Sequence, residues 1–225
     1  DAFNKRRLLY GFDKASRQLG RSGRLVIMEG YTDVMMAHQR GLTEAVATMG
    51  TSLTEDHLRL LKGRVNNLVL LFDGDRPGQD AAERAVRLAL TGGLECRVMT
   101  LPDGQDPCDW FAQHDLEAFE ALLAGRAEST VSFLCRRELE ALDQGEPGGP
   151  ERAARAVLEA CRVLVDPLRR DAIVGEIARA CSVDRNLLRA QTGAARPGAG
   201  SPRPSGAGER TALSARVRCQ MIVVS

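Results

Sequence analysis

Four short apolar runs, each followed by a segment of helical pattern, constrain the fold of this chain more than any other feature. The runs cover residues 25–28, 45–48, 67–72 and 96–101. Short strands that alternate with helices are typical of successive βαβ units around a parallel sheet with right-handed crossovers. We therefore predict an α/β domain with a Rossmann-like parallel sheet flanked by helices, in which ligands bind at the carboxyl ends of the strands.

Helical patterns predominate on both sides of this alternating segment. Apolar residues at helical spacing predict an amphipathic helix over residues 3–19. Beyond residue 107 the pattern is wholly helical and predicts an all-α subdomain with helices over 108–113, 116–123, 130–142, 151–165, 167–181 and 184–191. Residues 193–208 are mostly Gly, Ala, Pro, Ser and Arg, a composition that predicts disorder.

The charge distribution is uneven, although the formal net charge is only +1. Seven cations face two acids in the first 24 residues: Lys5, Arg6, Arg7, Lys14, Arg17, Arg21 and Arg24 against Asp1 and Asp13. A basic segment ahead of an acidic site fits a polyanionic substrate. A solvated helix face is an equally good explanation of this segment taken alone.

Composition excludes several classes of protein. The six cysteines have no CxxC spacing, so neither a zinc site nor a disulfide framework is indicated, and we expect reduced thiols in a cytoplasmic protein. No apolar run approaches the roughly 20 residues of a membrane-spanning helix. The start lacks a signal-peptide pattern and an initiating Met, so we expect a piece of a longer protein. An aromatic content of 4% argues against a base-stacking platform.

Acidic residues follow the apolar runs. Asp73 and Asp75 come directly after run 67–72, and Glu29 and Asp33 follow run 25–28. A carboxylate after five apolar residues is costly unless it is paired, caps a helix or holds a metal. Carboxylates at a strand edge suit Mg²⁺, which prefers a few carboxylates, waters and substrate phosphates. Asp75 could instead cap the next helix.

A third acidic cluster follows the fourth run, in Pro102-Asp103-Gly104-Gln105-Asp106-Pro107-Cys108-Asp109. Asp106 before Pro107 has the pattern of a helix N-cap followed by proline in the first turn. Capping and metal binding are compatible roles for this carboxylate. His38, His57 and His114 share no ligand spacing, and we predict that they are not metal ligands.

Three motifs occur in order: Glu29-Gly30-Tyr31-Thr32-Asp33-Val34, then Ala47-Thr48-Met49-Gly50-Thr51-Ser52-Leu53-Thr54, then Asp73-Gly74-Asp75-Arg76-Pro77-Gly78. Together with Leu101-Pro102-Asp103-Gly104-Gln105-Asp106-Pro107, they resemble the Toprim domain of bacterial DNA primases of the DnaG type. The resemblance spans roughly residues 3–191. It implies the end of an amino-terminal core subdomain over 1–22, a Toprim domain over 23–112 and a helical subdomain over 113–191. The composition of the remainder predicts a disordered tail over 192–225.

The resemblance also implies a function: a nucleotidyltransferase that makes short RNA primers on single-stranded DNA from ribonucleoside triphosphates, with Mg²⁺ or Mn²⁺ as cofactor. Glu29, Asp73 and Asp75 would be the catalytic acids, and Asp33 and Asp106 would join them in holding metal. Lys5, Arg6 and Arg76 would contact nucleic acid or nucleotide. A replicative helicase would be a partner of the full-length protein, and zinc would belong only to an amino-terminal domain absent here.

The last motif departs from the family pattern, because Cys108 stands where the family often has an acid and Asp109 follows it. Whether Asp109 replaces that acid is open. Two alternatives to primer synthesis also remain open: a Toprim nuclease or topoisomerase-like enzyme, and a non-catalytic nucleic-acid-binding module. Tyr10 and Tyr31 are poorly placed to serve as a topoisomerase nucleophile.

Overall fold

The structure, a computed structural model, describes residues 5–94, 96–142, 147–163 and 167–191. Within these ranges the chain forms α1 (Phe12–Ser22), β1 (Arg24–Met28), α2 (Tyr31–Gln39), β2 (Ala45–Ala47), α3 (Glu55–Leu61), β3 (Asn67–Phe72), α4 (Arg76–Thr91), β4 (Cys96–Thr100), α5 (Pro107–Gln113), α6 (Leu116–Arg126), β5 (Glu128–Ser129), α7 (Thr130–Glu140), α8 (Gly149–Ala160), α9 (Pro167–Ala180) and α10 (Arg185–Gln191). Short 3₁₀ turns occur at Pro102–Gly104 and Cys161–Val163.

The five strands form one mixed sheet in the order β2-β1-β3-β4-β5. The first four are parallel, as the alternation of strand and helix predicts, and their observed limits differ from the predicted ones by one residue at most. Strand β5 pairs antiparallel with β4 at the edge. The sheet is therefore Rossmann-like with one antiparallel edge strand.

Each central strand is buried on both faces, and this explains its continuous apolar sequence. In β1, Leu25 and Ile27 belong to a core that includes residues of α1, α3, α4 and α7–α9. Val26 and Met28 belong to a second core on the opposite face, with residues of α2, α5 and α6. Alternate residues of one strand thus hold two helical layers against the sheet.

Two predictions of secondary structure are wrong. The helix predicted over 3–19 begins only at Phe12, because residues 5–7 form a turn and Tyr10 pairs with Ala47 at the edge of β2. Gly11 joins the two segments with φ +78°, a left-handed conformation that glycine adopts without strain. The region after residue 107 is also not wholly helical, since it contributes β5.

Other predictions hold or lie outside the described ranges. The predicted helix 151–165 is present as α8 followed by a 3₁₀ turn that ends at residue 163. The predicted boundary between residues 112 and 113 stays a prediction, and the tail 192–225 lies outside the described residues. None of the helices in the described ranges combines the length and the apolar character that crossing a bilayer requires.

Candidate active site

The carboxyl ends of β1 and β3 bring the first two predicted acids to one edge of the sheet. The two strands are parallel neighbours, with Ile27 aligned to Leu70. Glu29 immediately follows β1 and Asp73 immediately follows β3. The adjacent strand ends therefore carry one carboxylate each, as the sequence predicts.

Glycines allow the loops at this edge to approach each other closely. A Cβ atom at Gly78 would lie 2.4 Å from the backbone oxygen of Asp73, and one at Gly74 would lie 3.0 Å from the Cα of Gly104. These separations leave no room for a side chain. The loop after β3 is thus held against the start of α4 and against the loop after β4.

Three of the predicted metal ligands accept hydrogen bonds from backbone N–H groups at helix starts. Asp33 accepts from Gly30 at the start of α2 (3.0 Å), and Asp75 accepts from Gly78 in α4 (2.8 Å). Asp106 accepts from Cys108 (2.7 Å) and Asp109 (3.3 Å) in α5. The sequence offered capping or metal binding for Asp75 and Asp106, and the structure confirms the capping role. Each carboxylate keeps lone pairs for a further ligand.

Glu29 differs from these capping residues. Its Oε1 atom is buried and has no hydrogen-bond partner among the described residues. Burial raises the pKa of Glu29, the charges of Asp73, Asp75 and Asp33 raise it further, and Arg84 opposes them. A buried carboxylate oxygen without a hydrogen-bond partner destabilises the folded state, so a cation bound to Glu29 would offset this destabilisation.

The pKa values of Asp33 and Asp73 are also raised. Burial is the main cause that raises the pKa of Asp33 to about 6, with contributions from Asp106 and Asp73, while the N–H of Gly30 lowers it. Burial also raises the pKa of Asp73, helped by Asp106 and Asp75. The pKa values of Glu29, Asp33 and Asp73 are thus all raised at this edge, and carboxylates perturbed by burial and by neighbouring charges are candidates for a functional site.

The donor set fits Mg²⁺ or Mn²⁺, because every candidate ligand is a carboxylate oxygen and hard divalent cations prefer oxygen. The described side chains do not form a ready-made cage: no group of three or more His, Cys, Asp or Glu among them has metal-binding geometry. Mg²⁺ commonly binds through one or two carboxylates and completes its shell with water and substrate phosphates. Glu29 and Asp73 could supply those carboxylates.

The predicted basic residues are exposed. Lys5 and Arg6 lie in the turn before Tyr10, and Arg76 is the first residue of α4, next to Asp75. Asp109 is exposed in the first turn of α5, where its N–H bonds Asp106. Arg76 and Asp109 thus lie on the helix starts that Asp75 and Asp106 cap.

Comparisons with known proteins agree with this geometry. The Toprim-like family matches residues 26–111, the segment that carries the acidic edge. The DNA primase of Escherichia coli strain K12 is 40% identical over 161 residues, which are 70% of this chain and 28% of that protein. The E. coli primase catalytic core superposes with a TM-score of 0.71 at 35% identity, covering 82% of this chain and 59% of that core.

A DnaG primase catalytic domain bound to single-stranded DNA superposes with a TM-score of 0.70 at 36% identity, covering 80% of this chain and 58% of that domain. The chain is homologous to the catalytic core of DnaG-type DNA primases. It spans less than a third of the length of the curated E. coli primase. The DnaG resemblance and the Toprim fold expected from the motifs are therefore confirmed.

Two features of this DnaG-type edge were not found from the sequence. Arg84, an exposed residue of α4, favours the ionised form of Glu29, but its position in a helix gave no signal of that role. Cys108 contributes its backbone N–H to Asp106, so its side chain is not needed for the cap. Asp106, the N-cap of α5, is among the charges that raise the pKa values of Asp33 and Asp73, and Asp109 is not.

Proposed function

We propose that this chain forms the metal-binding part of a primase catalytic core, which makes short RNA primers on single-stranded DNA by metal-dependent nucleotidyl transfer. The observation that carries the proposal is the buried Oε1 of Glu29, which has no hydrogen-bond partner among the described residues and feels the charge of Asp73. It lies in the segment that matches the Toprim-like family. Homology to DnaG primases supports primer synthesis over strand breakage or non-catalytic binding.

The chemistry depends on how the acids divide their roles. Mg²⁺ or Mn²⁺ bound at this edge would lower the pKa of the attacking 3′-hydroxyl and neutralise charge on the triphosphate. Glu29 and Asp73 would bind the cation, because neither accepts a capping hydrogen bond in the described structure. Asp33, Asp75 and Asp106 would hold the helix starts in place and offer their remaining lone pairs to the metal or its waters.

Basic residues around the edge would bind the other parts of the substrate. Arg76 lies next to Asp75 and could contact a phosphate of the incoming ribonucleoside triphosphate. Lys5 and Arg6 would contact the phosphates of the DNA template or the primer. A replicative helicase would recruit the whole protein, and we place this activity in the cytoplasm, where DNA replication in bacteria takes place.

The test is primer synthesis on single-stranded DNA by the natural protein that carries this sequence. Glu29→Gln and Asp73→Asn keep the side-chain size and remove the negative charge, and each should abolish synthesis in Mg²⁺ and in Mn²⁺. Asp115→Asn is the matched control, because Asp115 is an exposed carboxylate that caps α6 and asparagine also caps helices. Normal synthesis by either site variant would contradict the proposal.

A further inference from the structure

The first described residues form a basic turn, Lys5, Arg6 and Arg7, all three exposed. Tyr10 pairs antiparallel with Ala47, the last residue of β2, through hydrogen bonds of 2.9 and 3.1 Å. Because this segment runs opposite to β2, the residues before Tyr10 extend beyond the carboxyl end of the strand. The basic turn therefore lies at the same edge of the sheet as Glu29 and Asp73.

An aromatic contact supports this placement. The ring of Tyr10 meets the ring of Tyr31 edge to face, with centroids 6.1 Å apart. Tyr31 begins α2 only two residues after Glu29. The segment that leads out of the basic turn thus touches the helix that begins at the acidic edge.

Thr54 anchors the turn itself. Its Oγ1 donates a hydrogen bond to the backbone oxygen of Arg6 (2.6 Å) and accepts one from the N–H of His57 (3.2 Å). One hydroxyl thus caps α3 and fixes the basic turn at the same time. A cap requires only the acceptor function, so the donated bond to Arg6 is an additional feature of this site.

His57 completes the anchor. Its side chain is fully buried, and its Nδ1 accepts a hydrogen bond from the N–H of Thr54 (3.3 Å). Burial lowers the pKa of His57, while the backbone groups of Leu8 and Lys5 favour its charged form. Its other ring nitrogen, Nε2, is buried and has no hydrogen-bond partner among the described residues, so the two hydrogen bonds with Thr54 are what ties His57 to the basic turn.

We propose that Thr54, held by its reciprocal hydrogen bonds with His57, is a positioning residue: it holds the basic turn at the acidic edge so that the cations of the turn contact the phosphates of single-stranded DNA. The inference rests on the proposed function for the nature of the substrate. The hydrogen bond from Thr54 to the backbone of Arg6 should favour binding. A free segment with long basic side chains loses conformational entropy when it binds, and a backbone that is already fixed reduces that cost. Neither residue touches the reacting atoms.

The experiment compares binding of a fluorescent oligothymidylate to the 225-residue chain and its variants at several salt concentrations, without divalent metal. Thr54→Val removes both hydrogen bonds of the hydroxyl and should weaken binding about fivefold, the equivalent of one hydrogen bond of about 1 kcal/mol. The slope of log affinity against log salt should fall by about 0.7 for each phosphate that the basic turn no longer neutralises. Thr54→Ser keeps both bonds and should bind normally.

Three further measurements separate positioning from a general loss of stability. Asp115→Ala removes the cap of a different helix, α6, and should leave DNA binding unchanged. A Lys5→Ala/Arg7→Ala double variant should bind weakly, and Thr54→Val should weaken it little further, because both changes act on the same interaction with the phosphates. Hydrogen exchange of the amides of residues 5–10 should be faster in Thr54→Val than in Asp115→Ala.

Two results would overturn the inference: unchanged binding by Thr54→Val, or additive effects of Thr54→Val and the double variant. Failure of the proposed function would be seen elsewhere, as primer synthesis that survives Glu29→Gln. That result would leave the metal-free binding measurements intact, so the two failures are distinguishable.

Discussion

Replacing Asp33 by asparagine should stabilise the metal-free chain at neutral pH, although it removes a predicted metal ligand. Asp33 is only 5% exposed, and burial together with Asp106 and Asp73 raises its pKa from 3.8 to about 6. At about 1.36 kcal/mol per pH unit, this rise sets an upper limit of about 3 kcal/mol on the destabilisation. Asparagine carries no charge and keeps an oxygen that can accept the hydrogen bond from Gly30.

The pH dependence follows from the direction of the pKa change. The folded chain binds the proton of Asp33 more tightly than the unfolded chain, so its stability falls as the pH rises from about 4 to about 6. Below this window Asp33 is protonated in both states, and the variant should have no advantage. Above it the advantage should be complete. Relaxation of the protein and entry of water around Asp33 keep the actual destabilisation below the upper limit. We therefore expect Asp33→Asn to raise the free energy of unfolding by about 1.5 kcal/mol and the Tm by about 3–6 °C.

Urea unfolding followed by Trp110 fluorescence measures this effect, because Trp110 is the single tryptophan of the chain and is buried in α5. Asp115→Asn removes one negative charge from an exposed carboxylate and serves as the control. The reasoning would be refuted if Asp33→Asn were less stable than the unmodified chain at about pH 7, or if its advantage at about pH 4 were equally large.

Two further predictions concern packing at and around the sheet. Gly78→Ala should lower the free energy of unfolding by more than about 2 kcal/mol in the same urea assay, because the new Cβ would lie 2.4 Å from the backbone oxygen of Asp73. Gly63→Ala is the control: its Cβ would have no atom within 4 Å, and the positive φ of 75° should cost only about 1 kcal/mol. Arg24→Met should cost about 2 kcal/mol and lower the urea midpoint, since it leaves the buried Glu44 without the guanidinium that it shares with Glu120. An unchanged midpoint would contradict a stabilising role of these ion pairs.

The sequence predicts the sheet well because its strands are buried on both faces. Continuous apolar runs such as Asn67–Phe72 have sharp limits, and the acids that follow them mark the carboxyl ends. The sequence misses β5, which has only two residues, Glu128 and Ser129, and depends on pairing with β4. It also misplaces the start of α1, because the bridge between Tyr10 and Ala47 joins segments far apart in the chain.

The positions of the five acids in the fold are predictable from the sequence, but their hydrogen bonds are less so. The motifs name the five acids, and their position after apolar runs places them at one edge. Only the structure distinguishes Asp33, Asp75 and Asp106, which bond helix-start N–H groups, from Glu29, whose Oε1 has no partner among the described residues. The sequence offered capping by Asp75 and Asp106 as an alternative, but residue spacing did not indicate the hydrogen bond from Gly30 to Asp33.

The most direct test of the account is a Mn²⁺ titration of the 225-residue chain, with free Mn²⁺ measured by electron paramagnetic resonance. We expect saturable binding that Mg²⁺ displaces and that raises the Tm of the chain, since a ligand of the folded state stabilises it. Glu29→Gln and Asp73→Asn should each abolish the saturable binding, while Asp115→Asn should retain it. Unchanged Mn²⁺ affinity in both site variants would contradict the assignment of the acidic edge as the metal site.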